Sequence, residues 1–498
     1  CTLEYTEETA YPVFGRRTLD RVKGPRSSVK QNLVLNHLGH FSSVPDKRAS
    51  ILRIYGVSRY ASNHYNYIAP PYLRSLYLHG AHDIGHALQD LMLVGCSSFA
   101  AWGDKSQDGK LIIGRNFDFY AGDDFAKDKI VAFVKPDDGH AFMTVTWAGM
   151  IGAVSGMNEK GLTVTINAGK SKIPLVAKTP IALLTREILQ YAETIDQAVA
   201  IAKKREVFVS EAILIGSAKD GRAVSIEVSP KNFGVYEVEN SADQLLCSNH
   251  FQSQAYKKDK RNNDAILNSH SQYRYAKLVE DLNQNPRINP EIAAGILRDT
   301  KSLDGGLPLG LGNEKALNQL LAHHGVIFQP ADLKVWVSAN PYQLGEFVCY
   351  NLNQIFNTPH NPETLQTLSE VESAIPEDPF VHSDAFRNYE LYRVEDRKMD
   401  GFLEKGSGME PDFVIKYQSL NPDLWIVYYK PGLYYYKTKQ YELAKRSAKK
   451  RYAQQFPPQP AGRRCGSQIL PQRRLHPAGW RADQYRIQPL HYPFQPRL

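Results

Sequence analysis

The sequence predicts an α+β protein in which two antiparallel sheets are layered against helices. Between residues 95 and 350, strand-like runs alternate with tight turns, and stretches with apolar residues at helical spacing lie between and after them. The 498 residues, 42% hydrophobic and 22% charged, are enough for one large domain with extensions. No uninterrupted apolar stretch reaches the roughly 18 residues that a membrane-spanning helix requires.

Four antiparallel hairpins are predicted from pairs of strand-like runs that flank turn residues. The paired runs are 97–102 with 110–119, 129–136 with 141–149, 150–157 with 162–167, and 211–218 with 222–230. The four turns contain Asp-Gly, Asp-Gly, Asn-Glu-Lys-Gly and Lys-Asp-Gly, and such residues favour tight hairpin connections. We therefore expect the two strands of each pair to be neighbours in a sheet.

Helices are predicted within and after this strand-rich region. Apolar residues recur at helical spacing from Thr179 to Lys204, behind a Thr-Pro start, and again over 271–282 and 290–298. A helical extension is predicted at 381–450. There, four positions have the relative spacing of the small and aromatic residues of a tetratricopeptide repeat, which predicts one degenerate helical hairpin. They are Gly432, Tyr435, Tyr441 and Ala444. A single repeat cannot cover its own apolar face, so a helix packed back on the main domain fits the same pattern.

The net charge of +8 is distributed unevenly along the chain. The last 62 residues, from Lys437, contain fourteen Lys and Arg against two acids and carry +12, so the other 436 residues sum to −4. Residues 451–498 hold eight Arg, eight Pro and eight Gln, a composition that cannot bury enough apolar surface to fold alone. We predict a disordered basic tail there. RNA or DNA could bind through this tail only, and no nucleic acid is expected at the acidic body.

The beginning of the chain is open to two interpretations. Residues 1–53 show little sustained periodicity, so no fold is predicted for them. The sequence begins with Cys1 and without Met. Removal of a signal peptide at a lipoprotein cysteine would leave a lipid anchor on Cys1 and a location in the cell envelope or periplasm. A fragment start explains the same beginning, and the protein would then be cytoplasmic.

Cys96 differs from the other cysteines in its setting. The five cysteines are an odd number without paired metal-type spacing, which supports neither a disulfide framework nor a zinc site. Cys247 and Cys349 lie in apolar strand-like runs typical of small buried residues. Cys96 stands at the start of a strand, and the next strand of its hairpin carries Arg115 and Asp118. A guanidinium lowers the pKa of a neighbouring thiol, and a carboxylate can hold a charged amine.

Five short motifs occur in a fixed order: GCSS at 95–98, GRNFD at 114–118, GMNEKGL at 156–162, SNHF at 248–251 and SQYR at 271–274. In this order they resemble the acyl-coenzyme A:6-aminopenicillanic acid acyltransferase family, peptidase family C45, a relative of the choloylglycine hydrolases. One such motif is a weak signal, but five in order are specific. The resemblance extends from about residue 54 to residue 351. It implies the N-terminal nucleophile hydrolase fold, a four-layer αββα sandwich, whose precursor cuts itself before the cysteine.

The resemblance also implies roles for single residues. Cleavage between Gly95 and Cys96 would give Cys96 a free α-amine that can take the thiol proton, so that nucleophile and base become one residue. Asp118 would orient this amine, and Arg115 would hold the thiolate. Asn249 would donate its side-chain amide to the tetrahedral oxyanion.

Two further site residues follow from the same resemblance. Asn167 matches a second asparagine near the oxyanion in the hydrolase relatives, and Arg274 matches an arginine that supports the nucleophile or its neighbours. Each residue also has a structural interpretation when taken alone, since Arg115 could belong to a strand-end salt bridge and Asn249 could cap a turn. His250 is interpreted as structural, because a free amine makes a histidine base unnecessary.

Two other patterns offer candidate active-site residues in place of Cys96. Cys1, followed by Gly15-Arg16 and Asp20, resembles the processed N-terminus of a choloylglycine hydrolase, but the Gly-Arg-x-x-Asp spacing is interrupted. His82 and His86 share one helix face, as in zinc metallohydrolases, although an Asp replaces the usual Glu between them and no third ligand is evident. A packed helix before the cleavage point accounts for the same histidines.

The sequence therefore predicts a self-processing amidohydrolase or acyltransferase that acts on a small-molecule N-acyl amide or acyl donor, with no cofactor and no metal. The alternative is a catalytically silent, lipid-tethered binding protein on the same fold. Natural substrate and oligomeric state are left open. The predicted segments are an N-terminal segment at 1–53, a helical pre-cleavage part at 54–95, the nucleophile hydrolase domain at 96–380, the helical extension at 381–450 and the tail at 451–498.

Overall fold

The computed structural model of the protein describes residues 48–88, 95–120, 123–147, 149–171, 178–239, 241–358 and 367–455. The chain divides into two compact units, Cys1–Arg387 and Asn388–Leu498. The predictions for Cys1 and for nearly all of the tail lie outside the described residues. Within the part of the chain that is described, no helix is long and apolar enough to cross a membrane.

The strands of the first unit form two antiparallel sheets. A six-stranded sheet has the order β10-β1-β2-β11-β12-β13, and a seven-stranded sheet has the order β3-β4-β5-β6-β7-β8-β9. The strands are β1 Ser97–Ala101, β2 Ile112–Phe117, β3 Ile130–Val134, β4 Phe142–Thr146, β5 Ser155–Asn158, β6 Leu162–Ala168, β7 Glu211–Ser217, β8 Arg222–Ser229, β9 Asn232–Tyr236, β10 Gln244–Cys247, β11 His324–Gln329, β12 Lys334–Ser338 and β13 Phe347–Asn351.

Helices precede, interrupt and follow these strands. In chain order they are α1 Arg48–Ser58, α2 Pro71–Leu88, α3 Asp123–Lys127, α4 Ile181–Tyr191, α5 Ile195–Lys203, α6 Lys260–Asn268, α7 Ser271–Gln284, α8 Pro290–Leu297, α9 Leu352–Asn357, α10 Asp384–Lys405, α11 Pro411–Leu420, α12 Ile426–Lys437 and α13 Tyr441–Gln455. The boundary between the two compact units falls inside α10.

Three apolar clusters identify the layers of the first unit. One cluster lies between the sheets and joins Val326 of the six-stranded sheet to Leu214 of the seven-stranded sheet. A second cluster packs α4 and α5 on the outer face of the seven-stranded sheet, with Leu184 at its centre. A third packs α7 and α8 on the outer face of the six-stranded sheet, with Leu278 as a member. The order is helix, sheet, sheet, helix, which confirms the predicted four-layer αββα sandwich.

The predicted hairpins are confirmed, and one predicted helix is divided. The pairs β1–β2, β3–β4, β5–β6 and β7–β8 are antiparallel neighbours, and helices lie at 271–284 and 290–297. The stretch from Thr179 to Lys204 is broken at 192–194, where Thr194 is extended and its side chain accepts a hydrogen bond from the backbone N–H of Gln197. This N-cap starts a new helix. Apolar spacing resumes beyond the break, so the periodicity alone does not reveal it.

The second unit contains most of α10 and the helices α11, α12 and α13. Three residues, 438–440, connect α12 to α13, so the two helices form the helical hairpin expected from the sequence. Gly432 of α12 permits a close approach, because a Cβ atom at this position would lie 3.2 Å from the Cβ of Ser447 in α13. The membership of this hairpin in the tetratricopeptide class stays a prediction.

Asn158 fastens the β5–β6 turn to the helix that covers the seven-stranded sheet. Its side chain is fully buried, and Nδ2 donates to the carbonyls of Leu189 and Ala192 at the end of α4. Its Oδ1 accepts from the backbone N–H groups of Lys160 and Leu162. One side chain therefore satisfies four buried or partly buried backbone groups and sets both the turn and the helix end.

Asn158→Ala is expected to lower the free energy of unfolding by about 2–4 kcal/mol, because it leaves four backbone groups without their partner in the protein interior. Urea unfolding followed by tryptophan fluorescence measures the change. The matched control is Asn353→Ala, since the side chain of Asn353 is exposed and bonds only to the side chain of Asn357 among the described residues. Equal effects of the two substitutions would contradict the assigned role.

Candidate active site

Cys96 lies directly before β1, between the two sheets, and only 1% of its surface is exposed. The β1–β2 register pairs Ser98 with Arg115, which brings the Arg115 guanidinium to the thiol. Arg115 Nη2 is 3.9 Å from Cys96 Sγ. The predicted proximity of these two side chains is therefore confirmed, and its cause is the tight hairpin that the turn residues dictate.

Gly95 occupies a position in which no other residue fits without movement. Its N–H donates to the carbonyl of Asp118 at 3.1 Å, and its carbonyl accepts from Gln319 Nε2 at 2.8 Å. A Cβ atom at residue 95 would lie 2.1 Å from Gln319 Nε2. The backbone before Cys96 is thus tied to β2 on one side and to the segment before β11 on the other.

The Arg115 guanidinium is fully buried and is held by neutral acceptors. Nη1 donates to Ser155 Oγ of β5 at 2.5 Å, and Nη2 donates to the backbone carbonyl of Ile166 in β6. His324 Nε2 of β11 lies 2.8 Å from Ser155 Oγ and 3.5 Å from Arg115 Nη1. The guanidinium carbon also lies 4.2 Å from the centre of the Phe117 ring, a cation–π contact.

Asp118 follows β2 and is fully buried close to two arginines. Burial raises the pKa of its carboxyl group to about 7, while the positive charges of Arg274 and Arg115 oppose this shift. Neither carboxylate oxygen makes a hydrogen bond of good geometry with a described residue, although the nearby Gln343 side chain also lowers the pKa. A buried carboxyl group of this kind is an unsatisfied acceptor pair, which a nearby ammonium group could satisfy.

Both predicted asparagines are found at the end of β6, which contains Asn167 and whose Ala168 carbonyl accepts a hydrogen bond from Asn249. Asn167 of β6 accepts a hydrogen bond at Oδ1 from Ser98 Oγ at 2.8 Å and donates from Nδ2 to the carbonyl of Cys247 at 3.1 Å. It therefore bridges the two sheets two residues after Cys96. Asn167 is fully buried, and both ends of its amide are engaged within the sheets.

Asn249 is held by Arg274, with one amide hydrogen left over. Arg274 Nη2 donates to Asn249 Oδ1 at 2.5 Å, while Arg274 Nη1 donates to the carbonyl of Glu314. The Asn249 amide nitrogen donates one hydrogen to the carbonyl of Ala168 at 3.0 Å. Because a primary amide carries two N–H hydrogens, a second donor remains. Arg274 thus contacts Asn249 directly, and the supporting role that the resemblance implied for it stays a prediction.

The expected low pKa of the Cys96 thiol is wrong for the uncut chain. The charge of Arg115 lowers the pKa, but desolvation is the larger effect and raises it to about 11, with Asp118 and Glu211 adding to the rise. The sequence indicates that a guanidinium is near the thiol. It does not indicate that both groups are removed from water, where the neutral thiol is favoured over the thiolate.

Several residues of the site were missed by sequence reasoning. Ser155 and His324 contact Arg115, and Gln319 contacts Gly95, although no local motif distinguishes them. Glu227 of β8 accepts hydrogen bonds from the backbone N–H groups of Gln252 and Ser253, and so fixes the loop that follows Asn249. These residues come from strands and loops far apart in sequence. Only the pairing of the two sheets brings them together.

The helix α2, which precedes Cys96 in the chain, makes structural contacts in the described region. The carboxylate of Asp83 accepts from the backbone N–H of Ile181 at the start of α4, and His82 Nδ1 is 3.1 Å from the same carboxylate. The His82 ring lies 5.1 Å from that of Phe119. The side chain of His86 lies outside the described residues. Among the described side chains, no group of three His, Cys, Asp or Glu could hold a metal ion.

His250 is held in a hydrogen-bonded cluster, in agreement with its structural interpretation. Its Nδ1 lies 3.0 Å from Ser248 Oγ and 2.8 Å from Ser271 Oγ, and burial lowers the pKa of the imidazole to about 4. Ser271 also accepts from the backbone N–H of Asn249 at 2.8 Å. The cluster therefore connects the SNHF and SQYR motifs and fixes the loop that carries Asn249.

The structure combines the four-layer fold with a buried cysteine directly before a strand, the two structural features that the resemblance to the family implied. Residues 105–339 match the sequence model of the family described as acyl-coenzyme A:6-aminopenicillanic acid acyl-transferase. This match confirms the resemblance inferred from the five motifs. It includes Arg115, Asp118, Asn167, Asn249 and Arg274, and it begins nine residues after Cys96.

The chain is also similar to one curated protein and to several solved structures. An uncharacterized protein of Archaeoglobus fulgidus is 29% identical over 187 residues, which cover 33% of this chain and 31% of that protein. The match thus spans about a third of the length of this relative. A Caenorhabditis elegans N-acylethanolamine-hydrolyzing acid amidase ortholog is 18% identical, with 47% of this chain and 93% of that chain covered and a TM-score of 0.34. A variant of the conjugated bile acid hydrolase from Clostridium perfringens is 12% identical. The match covers 55% of this chain and 96% of that chain, and the TM-score is again 0.34.

The buried carboxyl group of Asp118 should make stability depend on pH. Its pKa is about 7 in the folded chain and about 4 in an unfolded chain, so the folded state holds the proton more tightly. The protonated group stabilises the fold below pH 4, and this stabilisation is lost as the pH rises to 7. Relative to Asp118→Asn, the free energy of unfolding should fall by about 4 kcal/mol across this window.

Urea unfolding at a series of pH values tests this expectation, with Cys96→Ala in both chains so that thiol chemistry does not interfere. The Asp118→Asn substitution keeps the shape of the side chain and removes only its titration. A stability difference between the two chains that is constant, or that grows in favour of Asp118 with rising pH, would refute the raised pKa.

Proposed function

We propose that the protein is a self-processing cysteine N-terminal nucleophile amidohydrolase or acyltransferase. Its substrate would be a small-molecule N-acyl amide or a related acyl donor. The observation that carries the proposal is the contact between the Arg115 guanidinium and the Cys96 thiol, directly after Gly95 and beside the buried Asp118 carboxyl group. The family match supports acyl transfer as the class of reaction.

Cleavage of the Gly95–Cys96 bond would change the chemistry of the site. The new α-amine of Cys96 has an ordinary pKa of about 8, so it can take the thiol proton near neutral pH. The resulting ammonium group lies within the residue whose thiolate faces Arg115. The unpartnered oxygens of Asp118, which follows the strand paired to β1, are the acceptors available to that ammonium. The charged forms of thiol, amine and carboxyl group then stabilise one another.

Turnover would follow through an acyl-enzyme on Cys96. The thiolate attacks the amide carbonyl of the substrate, and the ammonium group gives its proton to the leaving amine. The second amide hydrogen of Asn249 is the donor for the oxyanion, since Arg274 and the Ala168 carbonyl hold the amide in one orientation. Water or an amine then takes the acyl group, which gives hydrolysis or transfer.

One observation favours the alternative, a catalytically silent binding protein on the same fold. In the uncut chain, burial raises the pKa of the Cys96 thiol to about 11, so the thiol is neutral and weakly nucleophilic at pH 7. A protein that never cleaves itself would keep this inert thiol. The presence or absence of a cut before Cys96 therefore distinguishes the two functions.

Purified wild-type protein is expected to consist of two polypeptides, one of which begins with Cys96. Intact-mass spectrometry under denaturing conditions detects the break. Cys96→Ala should remain one chain, because it lacks the thiol that attacks the Gly95 carbonyl. Cys349→Ala is the matched control, since it removes another buried thiol from β13 and should still be cut. An active wild-type protein that stays intact, or a cut in Cys96→Ala, would rule out the proposed mechanism.

Asn249→Ala should reduce kcat for amide hydrolysis by about 10²–10³ with little change in KM, because an oxyanion donor acts chiefly in the transition state. A panel of N-acyl amides of differing acyl length, with acyl-enzyme trapping by mass spectrometry, supplies the assay and identifies the preferred acyl group. Asn249→Asp is the stricter variant. It keeps an acceptor for Arg274 but opposes the oxyanion with a negative charge, so normal kcat in this variant would exclude the assigned role.

A further inference from the structure

The carbonyl group of Gly95 is the one that self-cleavage must attack, and its oxygen already has a side-chain donor. Gln319 Nε2 donates to this oxygen at 2.8 Å, and 4% of Gln319 is exposed. The amide that is assigned to substrate turnover, that of Asn249, donates one hydrogen to the carbonyl of Ala168 and, among the described residues, none to the Gly95 oxygen. The bond to be cut in the chain and the bond to be cut in the substrate therefore have separate donors.

The backbone on both sides of Gln319 is held in place by hydrogen bonds of the segment around it. Asn116 of β2 donates from Nδ2 to the carbonyls of Leu317 and Leu297, at 3.0 and 2.8 Å. The neighbouring Asn318 is fully buried, donates its N–H to the carbonyl of Asp299 and accepts at Oδ1 from the N–H of Leu320. Both flanks of Gln319 are thus fastened to the six-stranded sheet and its covering helices.

The fit between Gln319 and Gly95 leaves no space for a side chain before Cys96. A Cβ atom at residue 95 would lie 2.1 Å from Gln319 Nε2 and 2.5 Å from Oε1. The Gly95 N–H donates to the carbonyl of Asp118 at 3.1 Å, which fixes the same peptide from its other side. The peptide that precedes the nucleophile is therefore oriented before any cleavage occurs.

We propose that Gln319 is the oxyanion donor for self-cleavage of the Gly95–Cys96 bond, a role that rests on the proposed function and is distinct from that of Asn249. In this step Cys96 Sγ forms a bond to the Gly95 carbonyl carbon, and the electron pair of the carbonyl moves onto the oxygen that faces Gln319. The C–N bond then breaks, and the nitrogen takes up the thiol proton to become the α-amine of Cys96. Water hydrolyses the thioester, which returns the thiol and leaves a carboxylate on Gly95.

The electrostatic reason is that a hydrogen bond to a carbonyl oxygen strengthens as negative charge develops on it. The donor and the oxygen are both buried, so water does not compete and the effect is larger than at a surface. The donor is already at 2.8 Å from the oxygen in the uncut chain. Little reorganisation is needed when the tetrahedral intermediate forms.

The test follows the cleavage rate of the full chain after cell-free synthesis, by intact mass at timed intervals. Gln319→Leu, which keeps the size of the side chain and removes the donor, should slow cleavage by about 10²–10³ relative to wild type. Gln190→Leu is the matched control. Gln190 is likewise buried, and its Nε2 donates to the backbone carbonyl of Asp138 at 2.7 Å, away from Cys96. This control should be cut at close to the wild-type rate.

Gln319→Glu adds a second measurement, the pH dependence of the cleavage rate, which would not change if Gln319 had only a structural role. A protonated carboxyl group can donate to the Gly95 oxygen as the amide does, but a carboxylate cannot. The cleavage rate of Gln319→Glu relative to wild type should therefore rise as the pH is lowered. A ratio that does not depend on pH would overturn the assigned role.

The outcomes for this inference and for the proposed function are distinct. Wild type that remains one chain would defeat the proposed function and this inference together. Wild type that is cut while Gln319→Leu is cut equally fast would overturn the role of Gln319 and leave the proposed function intact. Equal slowing in Gln190→Leu and Gln319→Leu would mean that loss of folding, not loss of a donor, is responsible, and it would also overturn the inference.

Discussion

The arrangement of the site depends on one buried positive charge, the guanidinium of Arg115, placed between two sheets. Its contacts are neutral: the hydroxyl of Ser155, the carbonyl of Ile166, the imidazole of His324 and the thiol of Cys96. Ser155 Oγ accepts from Arg115 and lies 2.8 Å from His324 Nε2, and burial lowers the pKa of this imidazole well below its ordinary value, so His324 is neutral. Neutral acceptors satisfy the guanidinium without cancelling its charge, and that charge is therefore available to stabilise a thiolate.

Burial opposes the effect of the Arg115 charge, because desolvation favours the neutral forms of the Cys96 thiol and the Asp118 carboxyl group. Desolvation raises the pKa of the Cys96 thiol to about 11 and that of the Asp118 carboxyl group to about 7, so near neutral pH a neutral thiol and a partly ionised carboxyl group lie beside buried arginines. A new ammonium group at Cys96 would supply the missing partner for both anions. In this view, a single peptide cleavage converts a stable, inert arrangement of side chains into one with paired charges.

The order of elements could be predicted from the sequence because local patterns determine it. The turn residues between strand-like runs predicted the four hairpins β1–β2, β3–β4, β5–β6 and β7–β8. The β1–β2 hairpin was sufficient to bring Arg115 to Cys96. The break between α4 and α5 was missed, because the apolar spacing continues on both sides of the Thr194 cap. The thiol pKa was predicted in the wrong direction, because a pattern of residues gives the proximity of charges and not the amount of water around them.

What the sequence determined by itself was the set of chemical groups and their local partners: a cysteine after a glycine, an arginine on the adjacent strand and motifs in the order of a known family. Only the tertiary structure decided which distant groups complete the site. Ser155, His324 and Gln319 are separated from Cys96 by 59 to 228 positions in the chain, and no local signal marks them. They reach it because the two sheets pack face to face and the segment before β11 is fastened beside Gly95. Contacts across layers depend on how whole sheets pack, and local sequence patterns carry no record of that packing.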